Sequence, residues 1–237
     1  VAFSIEVPSE IFQTETRATS GYELPAALIP STDAFALQLT GTYLDAQNVS
    51  QNYQNSWERV SDFHTEKPDL QAGTYTATFT HGDASAEGVG KAYFKGELKD
   101  FTVKASKKLS YPVTCKLANS CFTLQVTEWM LNYYDNIQLT IHTNTNSFTY
   151  NMTSTDPTEL VFVKSFQVLS ISGSAIKRQT GVAVEFPKTT IGGWLEAETK
   201  YAVQVDHGSA GASSVTITFD GTIKDVHVVE VGLNPEV

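Results

Sequence analysis

The sequence predicts an all-β protein: two tandem β-sandwich domains of immunoglobulin-like or transthyretin-like type, with one short helix in the second. Three observations predict it. Runs rich in β-branched and aromatic residues alternate with period two, as where Tyr75, Ala77 and Phe79 share one face and Thr74, Thr76 and Thr78 the other. Turn residues separate such runs at short intervals, without the long helical stretches that βαβ units need. The chain has 237 residues, 41% hydrophobic and 18% charged, enough apolar material for two cores.

Taken in order, Val1, Phe3, Ile5 and Val7 alternate with polar residues and predict an opening strand that Pro8 ends. Residues 9–32 are polar and turn-rich, with Pro25 and Pro30, and read as a long excursion. Phe35 to Tyr43 predicts a strand, Asp45 to Gln54 a polar loop, and Trp57 to Val60 a short extended piece. Leu70 to Thr80, Tyr93 to Val103 and Leu109 to Leu117 complete the first sheet system, with the small-residue loop Gly82 to Gly90 between. The seam between domains falls near Leu117 to Ser120, giving domains 1–118 and 119–237. Cys121 begins a new strand. Glu128 to Asp135 is the helix candidate, capped by Thr127, with Trp129 expected to pack down on the second domain. Strands are then expected at 137–142, 148–152, 159–163, 167–172, 182–186, 201–206, 215–219 and 226–231.

The net charge of −10 argues against nucleic acid and anionic lipid, and no basic stripe offsets it. Lys104, Lys107 and Lys108 cluster at an expected hairpin turn, where a solvated turn is the simplest reading. No apolar run is long enough to span a bilayer. The chain opens on Val1 without a signal peptide, which says nothing against export of a mature form.

The search for chemistry yields little. No Gly-x-Ser-x-Gly elbow or His-Glu-x-x-His motif occurs, and Glu87-Gly-Val-Gly-Lys91-Ala92 lacks the upstream Gly and the Ser/Thr of a phosphate loop. Neither the five scattered histidines nor Glu196 and Glu198, which share one face of a strand, form a recognisable constellation. The expectation is therefore a protein that is not an enzyme, with no cofactor and no metal. Cys115 and Cys121 could close a small disulfide loop or remain two buried thiols. Trp194, after Gly192-Gly193 in a turn, and Tyr133 are candidates for stacking on sugar rings, although large aromatics in sandwiches more often fill cores.

Four ordered motifs carry a family resemblance: Ala72-Gly-Thr-Tyr-Thr76, Tyr93-Phe94-Lys-Gly96, Phe101-Thr-Val-Lys-Ala-Ser106 and Val113-Thr-Cys-Lys-Leu-Ala-Asn119. Together they resemble a family of uncharacterised Bacteroides surface lipoproteins, the domain of unknown function DUF4493, which is fimbrillin-like in style. Ser106 departs from the glycine usual in the hairpin, and Cys121 is an additional cysteine. The resemblance implies export and an outer-membrane-anchored position on the cell surface. The only link to the membrane would be a lipid anchor that is absent from this chain. It also implies a structural or adhesive, pilus-associated role with other cell-surface or fimbrial proteins as partners, the alternative being a carbohydrate-binding module that takes glycans on exposed aromatics. Arg17, in the small polar stretch Thr14 to Gly21, is the candidate proteolytic processing site that such a resemblance suggests. An ordinary surface loop containing an arginine is the competing reading.

Overall fold

The computed structural model describes residues 1–15, 18–207, 214–219, 222–227 and 229–230. In chain order the elements are strands β1 (Ala2–Glu6), β2 (Glu10–Glu15), β3 (Ala18–Glu23), β4 (Ala36–Leu44) and β5 (Ser50–Trp57), and helix α1 (Val60–Glu66). Next come β6 (Gly73–His81), β7 (Gly88–Val89), β8 (Phe94–Val103), β9 (Ser110–Thr114), β10 (Lys116–Leu117) and β11 (Ser120–Val126), then helix α2 (Glu128–Tyr133). The remainder is β12 (Tyr134–His142), β13 (Ser147–Met152), β14 (Val161–Val163), β15 (Leu169–Lys177), β16 (Ala183–Ile191), β17 (Thr199–His207), β18 (Ser214–Phe219), β19 (Thr222–His227) and β20 (Val229–Glu230). The protein is all-β in sandwich form.

The chain divides into two units. Unit 1 holds Val1–Ile11, Glu23–Ala84 and Ala92–Ala118; unit 2 holds Phe12–Tyr22, Ser85–Lys91 and Asn119–Val237. Two segments that sequence reading gives to the first domain, 12–22 and 85–91, thus group with the second. Backbone pairing is the reason: β2 lies parallel to β17, and β7 lies antiparallel to β14. Strand partners at this sequence distance leave no local signal.

In unit 1 an antiparallel sheet runs β10-β8-β6-β4-β5. The alternation of β6 buries Tyr75, Ala77 and Phe79, and β4 adds Leu37 and Leu39 to the same side. Gly41 faces Tyr75 across the ladder. A Cβ there would meet the Tyr75 ring at 2.4 Å, so only glycine lets the ring lie across β4. Against this face come the parallel pair β1–β9 and Phe63 of α1. Two expectations are corrected here. The polar stretch 45–54 is not all loop: a turn at Asp45–Val49 leads into β5, paired with β4 throughout. Residue 60 opens α1 rather than extending a strand, since the buried Val60 and Phe63 share one helical face. The expected run 109–117 also splits. β9 joins β1 and β10 joins β8, with Cys115 at the switch.

Unit 2 packs two sheets face to face. One runs β19-β18-β17-β11-β14-β7, with β2 joined to β17 and β3 to β2; the other runs β13-β12-β15-β16-β20. Phe122, Leu124, Val203 and Ile217 from the first meet Leu139, Ile141, Ile171 and Val184 from the second in one buried cluster. Helix α2 starts where expected, with the Met130 N–H donating to Thr127 Oγ1 at 3.3 Å. Its inward residue is Met130, fully buried, while Trp129 is 74% exposed. The expected packing of Trp129 is therefore wrong. A six-residue helix turns one side chain inward here, and the cap phases it on Met130.

Candidate functional site

Outside its main sheet, unit 1 is closed by β1. This strand pairs in parallel with β9 from Ala2↔Ser110 to Glu6↔Thr114, and the Cys115 N–H donates to the Glu6 carbonyl at 2.8 Å. Its one fully inserted side chain is Phe3. The ring lies 5.4 Å from Phe63, 5.1 Å from Phe79 and 5.7 Å from Phe101, the last two edge to face. Such contacts stabilise by about 0.5–1.5 kcal/mol each beyond burial. The Phe3 N–H, on the edge away from β9, donates to His64 Nε2 of α1 at 3.2 Å. β1 is thus a single strand seated by one aromatic anchor, one parallel ladder and one histidine acceptor. Val1, Ile5 and Val7 are only partly buried.

The sequence-predicted site residues do not converge. Arg17 lies outside the described residues. Trp194 is 70% exposed, and Tyr133 is 37% exposed with its ring edge to face on Tyr134 at 4.9 Å. Cys115 and Cys121 are buried free thiols, one in each unit. Burial pushes both thiols up to about 12, so neither is a thiolate nucleophile or a ready metal ligand near neutral pH. Among the described residues no group of three or more His, Cys, Asp or Glu is arranged to hold a metal. Ser106 sits at φ 57, in the left-handed region that favours glycine.

One cluster escapes sequence reading. Glu87 belongs to unit 2, in a segment whose small residues suggest only a loop. Its Oε1 accepts from the Lys164 N–H at 3.0 Å and Gln167 Nε2 at 2.7 Å. Its Oε2 accepts from Thr143 Oγ1 at 2.7 Å, Asn146 Nδ2 at 2.8 Å and Thr145 Oγ1 at 3.2 Å. Burial pushes this carboxyl up, but the donors from Asn146, Lys164, Thr143 and Gln167 outweigh it and hold it below the usual glutamate range. Every partner donates, so the group is a staple rather than an acid. Glu87→Gln keeps one accepting oxygen but turns an NH₂ toward the donors on the other, and for this partly solvated group should cost about 1 kcal/mol near neutral pH in denaturant melts. Because the folded pKa is depressed, this stability is full above the unfolded value of about 4.3 and is lost as pH falls through the folded one. The gap between wild type and variant should therefore close in strong acid. A gap constant from neutral pH to strong acid would show that the charge contributes nothing.

His142 bridges Ser147 Oγ through Nδ1 and Ser172 Oγ through Nε2, both at 2.8 Å. Burial, aided by Lys188, pushes this histidine down. Among the described residues no acidic side chain bonds either ring nitrogen, so the trio reads as cross-strand bonding on a sheet face.

The profile of the domain of unknown function DUF4493 matches residues 1–233. The chain belongs to the DUF4493 family. No curated protein matches the sequence. Among solved structures, this DUF4493 chain is similar to a fimbrial assembly protein from Parabacteroides distasonis, with 8% identity over 82% of this chain and 91% of that one and a TM-score of 0.41. A candidate cell adhesion protein from Bacteroides ovatus matches with 10% identity over 97% and 98%, TM-score 0.39. The fimbrial anchor protein Mfa2 from Porphyromonas gingivalis matches with 9% identity over 92% and 99%, TM-score 0.33.

Proposed function

We propose that this DUF4493 protein is a non-enzymatic cell-surface lipoprotein with a structural or adhesive, fimbrillin-like role, in which β1 is an exchangeable strand. The observation that carries the reading is the seating of β1. Losing it would empty a slot lined by Phe63, Phe79 and Phe101 and would expose the unpaired edge of β9. Unpaired backbone groups beside an emptied apolar pocket are what β-strand addition uses: the backbone gives affinity and the pocket gives register. Cleavage at Arg17 would put β1 and β2 on one fragment, which leaves once the β1–β9 pairing and the pairing of β2 with β17 both release. The family resemblance supports the location: export, with attachment at the outer membrane through a lipid anchor.

Limited trypsin digestion tests the reading, followed by intact mass and size-exclusion chromatography, with Arg17→Ala as control. Cleavage at Arg17 followed by higher-order species, absent in the control, is the expected result. Resistance at Arg17, or cleavage that leaves only monomer, would remove the assembly role. Trp194 at 70% exposure favours a second reading, a module that stacks glycans, whose signature would be glycan retention lost in Trp194→Ala.

A further inference from the structure

Strand β5 is an edge of a different kind. Within its sheet it is bonded to β4 alone, and the pairing runs from Leu37↔Trp57 to Leu44↔Ser50 without a register shift. In an antiparallel ladder, alternate residues turn their N–H and C=O away from the partner. Two contacts set that phase. The Asp45 N–H donates to the Val49 carbonyl at the hairpin end, which turns the odd residues toward β4. The Ser56 N–H bonds instead to Asn55 Oδ1 at 2.9 Å, on the outward side. Ser50, Asn52, Gln54 and Ser56 therefore direct their backbone groups outward, and all four are exposed. Natural sheet edges are usually blunted by lysine, proline, inward charge or a bulge. The strand Ser-Gln-Asn-Tyr-Gln-Asn-Ser-Trp has none of these.

We propose that β5 is a self-association edge, pairing antiparallel with β5 of a second copy of this chain about a two-fold axis through Tyr53. The strand complements its own reverse. In that register Ser50 meets Ser56, Gln51 meets Asn55, Asn52 meets Gln54, and Tyr53 meets its own copy. Outward-facing residues meet outward-facing residues, so the backbone ladder closes with the side-chain match intact. Amide faces amide and hydroxyl faces hydroxyl, the uncharged cross-strand pairs that suit a sheet face. The chain carries a net charge of −10, yet no like charges face each other at this seam: beyond the strand Glu58 meets Asn48 and Arg59 meets Gln47. An unrelated strand could use the same backbone but would not supply the matched amides, and an isologous contact closes at two copies. The adjustment required is small: the exposed Asn55 side chain releases the Ser56 N–H. This edge is separate from β1, so the inference stands or falls apart from strand exchange.

Sedimentation equilibrium of the full chain, from roughly 1 µM to 1 mM, provides the first test. A monomer–dimer equilibrium is expected. The double variant Asn52→Lys/Gln54→Lys, which sets lysine against lysine, should weaken it about tenfold or more while leaving the thermal melt in place. Mixing that variant with Asn52→Glu/Gln54→Glu should restore a heterodimer. Register is read by cysteine trapping. Across a non-hydrogen-bonded pair the Cα atoms lie about 4.5 Å apart, within disulfide reach. Tyr53→Cys should therefore cross-link under oxidation, and Asn52→Cys should not. A chain monomeric throughout, a dimer insensitive to the lysines, or equal trapping at 52 and 53 would overturn the proposal.

Discussion

Phe79→Ala is expected to cost unit 1 about 3–5 kcal/mol in denaturant melts, the usual range for removing a buried phenyl ring. Phe79 is completely buried. It stands between Leu37 of β4 and Gly96 of β8 in the ladder, and its ring meets Phe3 edge to face at 5.1 Å. Truncation therefore opens a cavity in the main sheet and also removes one wall of the slot that seats β1. The variant should lose stability and release β1 more readily, and the second effect can be read as faster hydrogen exchange along Ala2–Glu6. A change under about 0.5 kcal/mol, the size typical of surface positions, would mean the strand is inside out.

The largest effect expected in unit 2 comes from one methyl group. Gly192 has φ +64, and a Cβ built there lies 1.8 Å from the Phe219 ring. That ring stacks on Tyr201 with centroids 5.0 Å apart and planes parallel to within 1°. Gly192→Ala meets a left-handed backbone penalty of about 1–2 kcal/mol and an overpacking cost of about 1–3 kcal/mol, a loss of about 2–5 kcal/mol together. Gly193 has open space around its Cβ position, so Gly193→Ala should stay within about 0.5 kcal/mol. Equal melts for the two alanine variants would contradict the packing described.

The sequence made the interior strands legible because their physics is local. Tyr75, Ala77 and Phe79 alternate within a few residues, and Thr127 caps α2 from the adjacent position. What it hid depends on distant partners. β5 carries no hydrophobic alternation because it is held chiefly by the β4 backbone, so its amides read as loop. The segment 85–91 reads as a flexible linker because the groups that bond Glu87 lie far along the chain, at residues 143–167. The exposed Trp129 shows the same limit. Its residue type argues for burial, but the phase of a short helix decides which side chain turns inward. For the candidate site, the alternation of Val1–Val7 pointed to a strand. That Phe3 alone is its buried anchor, and that His64 receives its backbone, required the fold.

Strand exchange reports whether β1 can leave its slot and another copy of it can enter. Protein cleaved at Arg17 is incubated with a dye-labelled peptide of residues Val1–Arg17, and uptake is followed by fluorescence anisotropy. Saturable uptake with displacement of the original fragment is expected, weakened by more than about tenfold when the peptide carries Phe3→Ala, because the anchor ring is missing. A cleaved protein that keeps its first strand and takes up no peptide, or one that takes up the Phe3→Ala peptide equally well, would contradict an exchangeable β1.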